Sequence, residues 1–463
     1  MTTGLNNFII NPRSFKDNDA IVFSLNGIYF RAIKNSYKLH YEHLINSGLH
    51  QNLTSLNYLI SHSYEKFDQE LIPDTFIYCK PDQLNFISFP AEWCFSQFQD
   101  SAITTLEITK KSLEYGMILK DASFLNIQLH EGKTILIDTS SFVLFNEGEY
   151  WKGYKQFVEH YFIPLIISNN TSSEFFKILL NFHDGIPIWK SLSFFKFLDY
   201  FNLHVFIHIY LFSKSSKKTN TYTKIGIRKK SKLSIQGIID SLQSGIVKLK
   251  PGSIKSAWKD YYSTSNNYEN ESFDFKSQYI LNIVEKKYFK KVLDLGSNTG
   301  HFSRIIHKHV GFVVSIDNDC DVVDINYQLN KKLAIKNIYP LVIDILNPTP
   351  SFGWKGMEYE SFIERSKSDL VLALALIHHL YFKHYVSFNK MADLFYELGE
   401  NLVIEFVEKE DSQILLFDEL FEGQKVGYNS DAFENAFTKK FTILNKTKIP
   451  ESNRLLYYFK RND

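Results

Sequence analysis

Cysteine is scarce in this chain. Cys79, Cys94 and Cys320 are odd in number and far apart, so neither a disulfide framework nor a zinc motif follows. Net charge is nearly absent too. The 52 Lys and Arg residues against 51 Asp and Glu leave +1, so no global field gathers nucleic acid. Long apolar runs are missing; residues 206–212 are too few to span a bilayer and include His208. The first residues hold Thr and Asn where a secretory leader needs a basic flank and an apolar core. The expectation is a soluble, cytoplasmic protein with no membrane span and with nucleic acid disfavoured as a partner. What is present is a globular composition. At 463 residues, 44% hydrophobic and 22% charged, the chain has material for two or three domains and a sizeable core. Phe (41) and Tyr (27) are heavily used beside Lys, Asn and Ile, a bias that reads as AT-rich coding and not as function.

The most informative stretch is 291–303, KVLDLGSNTGHFS. An apolar run ends at an acid, a tight glycine turn follows, and an amphipathic helix begins. That order hands a parallel strand over to a helix whose N-terminus faces a ligand. Gly296 permits the turn, and Gly300 lets helix and strand approach closely. The turn lacks the G-x-G-x-x-G of dinucleotide sites, and Asp294 would repel a pyrophosphate. A second apolar run, 312–316, ends at Asp317. This is about 20 residues past the turn, where a strand-end acid takes ribose hydroxyls. Its two oxygens match two vicinal donors. Asp319 either assists or is solvated. A third run reaches Asp344, residues 369–375 read as a fourth, buried strand, and 402–406 as a fifth. Strands alternating with helical patterns predict an α/β, doubly wound, Rossmann-like domain.

These residues resemble the class I S-adenosylmethionine (SAM) dependent methyltransferases. The resemblance implies SAM as cofactor and no metal in this domain. It places Asp294 at the cationic methionyl end, within a motif formed by Gly296, Asn298 and Gly300. It places Asp317 on the ribose, and Asp344 with Ile345 beside the adenine. Asn298 replaces the middle glycine of the common pattern, as in a D-L-G-x-N-T-G subset. In the family, the segment after the fourth strand faces the acceptor; here it is Ile377-His378-His379-Leu380. The Asn/Asp-Pro-Pro-Tyr signature of base and amide N-methyltransferases is absent. Histidine suits deprotonation of a hydroxyl near neutral pH; the other reading of His378 and His379 is a strand cap. Glu405, ending the fifth strand, points toward the cleft in this topology and would orient a histidine or the acceptor. Gly353, Trp354 and Arg365 are either substrate-side or packing.

The first half carries LKDASFLNIQL at 119–129, then TILID at 134–138. This resembles the catalytic loop and metal-binding strand of kinase-like phosphotransferases, an α+β fold. The resemblance implies Asp121 orienting a hydroxyl, Asn126 and Asp138 holding magnesium on ATP, and Lys34 on the phosphates, with Glu92-Trp93 near an interlobe hinge. Departures are plain. No glycine-rich loop precedes Lys34, Leu119-Lys120 replaces the His before the catalytic Asp, and Thr139-Ser140 replaces Phe-Gly after the metal Asp. Two readings stay open: a Mg-ATP kinase fused to a methyltransferase, and an inactive kinase-shaped scaffold. Trp151, Tyr154, Gln156 and Phe157, with both motifs above, also resemble a two-part bacterial family that includes nodulation-type and surface-glycan-associated methyltransferases.

The expected organisation is a kinase-like domain over 1–210, a basic linker with capping helices over 211–275, and the methyltransferase domain over 276–463. Residues 214–232 carry eight Lys or Arg and no acid, a pattern usual for solvated segments. Trp258, Tyr261, Tyr262 and Tyr268 precede the first strand of the second half, where one of them stacking on the ligand competes with core packing. The expected acceptor is a sugar, a glycan intermediate or a small metabolite, methylated on oxygen. RNA methylation and a non-catalytic SAM-binding scaffold are the lesser alternatives. Oligomeric state is not readable from the sequence.

Overall fold

The structure, a computed structural model, describes residues 7–217, 231–252, 270–411, 414–415 and 427–463. Trp258, Tyr261, Tyr262, Tyr268 and residues 218–230 of the basic segment lie outside the described residues. The chain divides into two compact units. The first is Met1–Ile254 with Ser351–Glu360, and the second is Lys255–Pro350 with Ser361–Asp463.

The first unit opens with five strands: β1 (Phe8–Ile10), β2 (Ala20–Leu25), β3 (Ile28–Lys34), β4 (His62–Glu65) and β5 (Thr75–Pro81). They form an antiparallel sheet of order β1-β2-β3-β5-β4. A two-residue turn at Asn26-Gly27 joins β2 to β3, with Leu25 opposite Ile28. Asn-Gly suits such a hairpin because both residues tolerate positive φ. Phe23, Phe30, Ala32 and Ile72 fill one core cluster, and Ala20, Ile33, Tyr37, Tyr41 and Cys79 another. The helix Phe95–Glu114 follows. Next come two short antiparallel pairs: β6 (Met117–Leu119) with β9 (Phe142–Leu144), and β7 (Ile127–His130) with β8 (Lys133–Leu136). Helical segments complete the unit to residue 217. Residues 351–360 group here as well. Phe352 stacks on Tyr359 at 4.5 Å, Phe89 meets both edge-on, and Trp354 stacks on Phe15 at 5.4 Å. Trp354 is therefore a packing partner in this unit.

The second unit has seven strands: β10 (Lys291–Leu295), β11 (Phe312–Asp317), β12 (Ile338–Val342), β13 (Ser368–Ala373), β14 (Gly399–Val407), β15 (Phe441–Lys448) and β16 (Arg454–Arg461). They make one sheet of order β12-β11-β10-β13-β14-β16-β15. The first five are parallel, and β16 and β15 add an antiparallel hairpin. The five expected strands are present. The hairpin was not anticipated, although Leu455-Leu456-Tyr457-Tyr458-Phe459 has strand composition. Parallel strands covered on both faces read as unbroken apolar runs, which is why they stand out in the sequence.

The order reverses at β10, which lies between β11 and β13. In open α/β sheets that reversal leaves a crevice at the carboxyl ends of the strands. Gly300 sets the first crossover. It has φ +77° and caps the helix His301–Ile306. A Cβ there would sit 2.2 Å from Asn326 Oδ1. Asn326 cannot easily yield, because it is fully buried and bonded to Ser315, Asn330 and Arg304. Gly300→Ala should cost about 2–4 kcal/mol in chemical denaturation, since strain and overpacking act together. A loss under about 0.5 kcal/mol would mean this packing is softer than it looks.

Candidate functional site

Each acid in the crevice is placed by the strand it ends. Asp294 is 2% exposed on β10 and accepts a 2.6 Å hydrogen bond from Ser303 Oγ. Burial, with Asp317 adding to it, pushes its carboxyl up to about 7. Asp317 closes β11 and accepts from the backbone N–H groups of Asn298 (2.9 Å) and Asp319 (3.0 Å). Burial outweighs those bonds and raises it to about 6. Asp319 acts locally, capping the helix Cys320–Lys332 through the N–H groups of Asp321 and Val322. Asn298 takes φ +50°, a left-handed conformation that Asn tolerates, and its side chain accepts from Thr299 N–H at 2.7 Å. Gly296 also has positive φ, and an added Cβ would touch Leu376 at 3.4 Å.

These residues line one cleft of about 230 Å³. Asp294, Gly296, Asn298, Asp317, Asp344 and Ile345 all contribute to its wall, so six of the seven expected cofactor positions converge. Gly300 lies outside the wall and serves the packing described above. Ser297 also contributes, and its Oγ is buried without a hydrogen-bond partner among the described residues. Such a hydroxyl fits a polar ligand group.

The three residues expected to act on the acceptor separate. His379 lines the cleft. Burial first, then Lys383 and His384, hold it down to about 3, so its ring is neutral over the working pH range. His378 is 2% exposed and sits behind, its ring 4.3 Å from that of His379. Glu405 is fully buried and is not part of the cleft wall. Its carboxylate takes Lys276 Nζ at 2.8 Å and Arg454 Nη1 at 3.0 Å, and Arg454 Nε reaches Asp411 at 2.8 Å. The expectation that Glu405 points into the cleft is thus corrected. A carboxylate this deep needs cations, and two bury themselves on it. Arg365 lies over the Phe362 ring at 5.8 Å.

In the first unit, Asp121, Asn126 and Asp138 come together. Asn126 Nδ2 donates to Ser141 Oγ at 3.3 Å, and Ser141 Oγ donates to Asp138 Oδ2 at 2.6 Å. Burial and then Asp138 raise the Asp121 carboxyl. Lys34 does not join them. It ends β3 at a shift in strand register, and Arg31 of the same strand forms the ion pair with Asp138. Arg31 Nη2 also donates to the Ile137 carbonyl at 3.1 Å. Burial alone would raise Asp138, but Arg31, Ser140 and Ser141 outweigh it and hold the carboxyl below its ordinary range. Glu92 is buried as a helix cap, its Oε2 accepting from Phe89 N–H at 2.9 Å. Among the described residues, no cluster of His, Cys, Asp and Glu has a metal-binding arrangement.

The chain is 30% identical over 393 residues to nodulation protein NoeA of Rhizobium meliloti (strain 1021), covering 82% of this chain and 81% of that protein. The chain belongs to the NoeA family. No family model matches it. Among solved structures it is similar to the N-methyltransferase NodS of Bradyrhizobium japonicum WM9 in complex with S-adenosyl-L-homocysteine. That match has 14% identity, 45% of this chain, 97% of that chain and a TM-score of 0.33. It is also similar to the bifunctional kinase-methyltransferase WbdD, with 16% identity, 45% of this chain, 43% of that chain and a TM-score of 0.31. Likenesses this low transfer neither residues nor activity.

This NoeA-family cleft contains basic residue types that sequence reasoning missed. Lys276, Lys383 and His384 line it along with the acids. Lys276 carried a readable signal. On the helix Asn270–Lys286 it falls in the buried series Ser272, Lys276, Ile280, Val284, spaced by four. A lysine inside such a stripe breaks the amphipathic pattern and marks a paired charge.

Asp294 couples the cleft to stability. Its folded carboxyl binds a proton more tightly than in the unfolded chain, so stability falls as pH rises from the ordinary carboxylate range through about 7. Asp294→Asn removes that titration while keeping an acceptor for Ser303. In thermal melts of the full chain without ligand, the variant should gain about 3 °C at about pH 8 and nothing at about pH 4. An equal gain at both values would locate the effect elsewhere than in ionisation.

Proposed function

We propose that the second unit is a SAM-dependent methyltransferase acting on a hydroxyl of a sugar, a glycan intermediate or a small metabolite. The observation that carries this reading is the set of acids at the tips of β10, β11 and β12, gathered on one cleft at the point where strand order reverses. The residues fit the group. Asp294 is a buried carboxylate without an ion-pair partner among the described residues, matching a cationic methionyl end. Lys276, a cation of the same wall held in place by Glu405, suits the methionyl carboxylate. Asp317 offers two oxygens for two ribose hydroxyls. When bound, SAM supplies an already activated methyl group, so the protein's work is positioning and exclusion of water.

His379 accepts a hydrogen bond from the acceptor hydroxyl. Held down to about 3, it is too weak a base to ionise that hydroxyl beforehand. Proton loss therefore comes late. Once the oxygen has gained the methyl it becomes a strongly acidic oxonium, and even a weak imidazole base takes its proton. His378 supports the His379 ring from behind.

Mg-ATP phosphotransfer in the first unit lacks comparable support. The acid that would hold the metal, Asp138, is already engaged by Arg31, Ser140 and Ser141. We assign the first unit a scaffold or acceptor-presenting role.

Titration calorimetry tests the reading. SAM should bind the full chain, and Asp317→Ala should weaken it by about 1–3 kcal/mol through lost charge-assisted hydrogen bonds. Absence of SAM binding by the parent protein overturns the assignment. His379→Ala should keep SAM affinity and lower turnover about 10²-fold once an acceptor is in hand. Unchanged turnover would remove His379 from the reaction.

A further inference from the structure

We infer that the hydroxyl compound methylated in the second unit also carries an acid group, a carboxylate or a phosphate, and that Lys383 and His384 hold that group. The inference rests on the methyl-transfer reading and specifies the acceptor of the same cleft.

The cleft wall is divided by residue type. Its acids, Asp294, Asp317 and Asp344, lie on or just past strands β10, β11 and β12. In the reading above they serve the methyl donor, as does Lys276. The wall that remains for the acceptor is residues 374–384. Here the ionisable lining residues are His379, Lys383 and His384, with Leu376 and Leu380 beside them. Among the described residues, this part of the wall holds no carboxylate and no amide. A sugar recognised through its hydroxyls alone needs hydrogen-bond acceptors as well as donors. Lysine is purely a donor, and a protonated imidazole donates from both nitrogens. A wall of this composition matches a ligand group that only accepts, and carboxylates and phosphates are such groups.

Helical spacing places the two residues relative to the reacting hydroxyl. The helix Ile377–His384 contains no acidic residue. His379 and Lys383 are four apart, and so are Leu380 and His384, so all four share one face. Lys383 and His384 are exposed, whereas Leu380 is buried and His379 half-buried. The basic pair thus stands at the mouth and the imidazole lies further in. Both residues act electrostatically on the His379 ring, so their influence reaches the place assigned to the acceptor hydroxyl. An acid seated on them lies about one helical turn, roughly 5 Å, from His379. That is about the span across one pyranose ring. It would also offset their share of the depression on His379, while burial, the larger cause, stays. Basic residues suit any helix C-terminus, since they complement its dipole. That accounts for the residue types at this end and leaves open why both line the cleft.

The test is titration calorimetry on the full chain saturated with S-adenosylhomocysteine, using glucose, glucuronate and glucose-6-phosphate as probes. At least one charged sugar should bind about tenfold or more tighter than glucose, with the preference shrinking as salt is raised. Which of the two gains identifies the acid group as carboxylate or phosphate. The double variant Lys383→Gln, His384→Gln should lose the preference and keep its affinity for S-adenosylhomocysteine. Both positions are exposed, so folding should survive, and circular dichroism checks it. Lys383→Glu should reverse the preference. If S-adenosylhomocysteine binds and glucose competes equally with both charged sugars, the inference is overturned while the methyl-transfer reading stands. If S-adenosylhomocysteine does not bind the parent protein, the reading itself falls and the inference with it. Full preference in the folded double variant overturns the assignment to Lys383 and His384. Weakened S-adenosylhomocysteine binding in that variant gives the two residues to the donor and equally overturns it.

Discussion

A carboxylate held out of water with no cation paired to it among the described residues is the constraint around which the second unit is arranged. Removing such a group from solvent costs free energy that hydrogen bonds return only in part. Asp294 and Asp317 both bear that cost, and both respond by holding their protons more tightly. A fold tolerates this only where the surroundings are rigid. Here β10 is paired on both sides by parallel strands, and its neighbours pack into a core of Val292, Val313, Leu370 and Leu372. The sheet fixes the acids, and a ligand that brought positive charge or hydroxyl donors would relieve them. Perturbed carboxyls gathered in a cleft are the electrostatic mark of a binding site.

The chain also buries acids that need no ligand, and the contrast is instructive. Glu405 lies as deep as Asp294, yet it receives Lys276 and Arg454, and Arg454 goes on to Asp411. Breaking one member would strand a charge, so this network is structural by its energetics. Lys276 belongs to both worlds. One side of its ammonium is fixed by Glu405, and the residue is also part of the cleft wall. A mobile surface lysine would lose side-chain entropy on meeting an anion; this one has lost it on folding.

What was legible in the sequence follows from which physics is local. Strand ends were legible, because an apolar run stopping at Asp294, Asp317 or beyond needs no knowledge of partners. The doubly wound topology followed from the alternation of strands with helical patterns. Partner choice was not legible. Glu405 and Lys276 are 129 residues apart, and nothing in either neighbourhood specifies the other. Glu405 ends up in the interior because Arg454 of β16 lies alongside β14, and the β15–β16 hairpin was itself unforeseen. For Gly353 and Trp354 the sequence left substrate-side and packing roles open. The aromatic residues of 351–360 pack with Phe15 and Phe89, hundreds of positions earlier. In the first unit, the motif located Asp121, Asn126 and Asp138 correctly as neighbours. It could not say that Arg31, three positions before the expected Lys34, would be the cation among them.

That exchange of partners bears on what the first unit can do. In a phosphotransferase the acid at the position of Asp138 has to meet a divalent ion, and its charge must be available when nucleotide arrives. Here Arg31 fills that need from within the chain, with Ser140 and Ser141 taking further lone pairs. A metal would have to displace a guanidinium whose side chain is only 12% exposed. It would leave that guanidinium charged and without its carboxylate. Stranding a buried charge costs about 3–5 kcal/mol, roughly a thousandfold in apparent metal affinity. The pair therefore satisfies Asp138 from within the chain, whereas the crevice of the second unit offers Asp294 and Asp317 no ion-pair partner among the described residues.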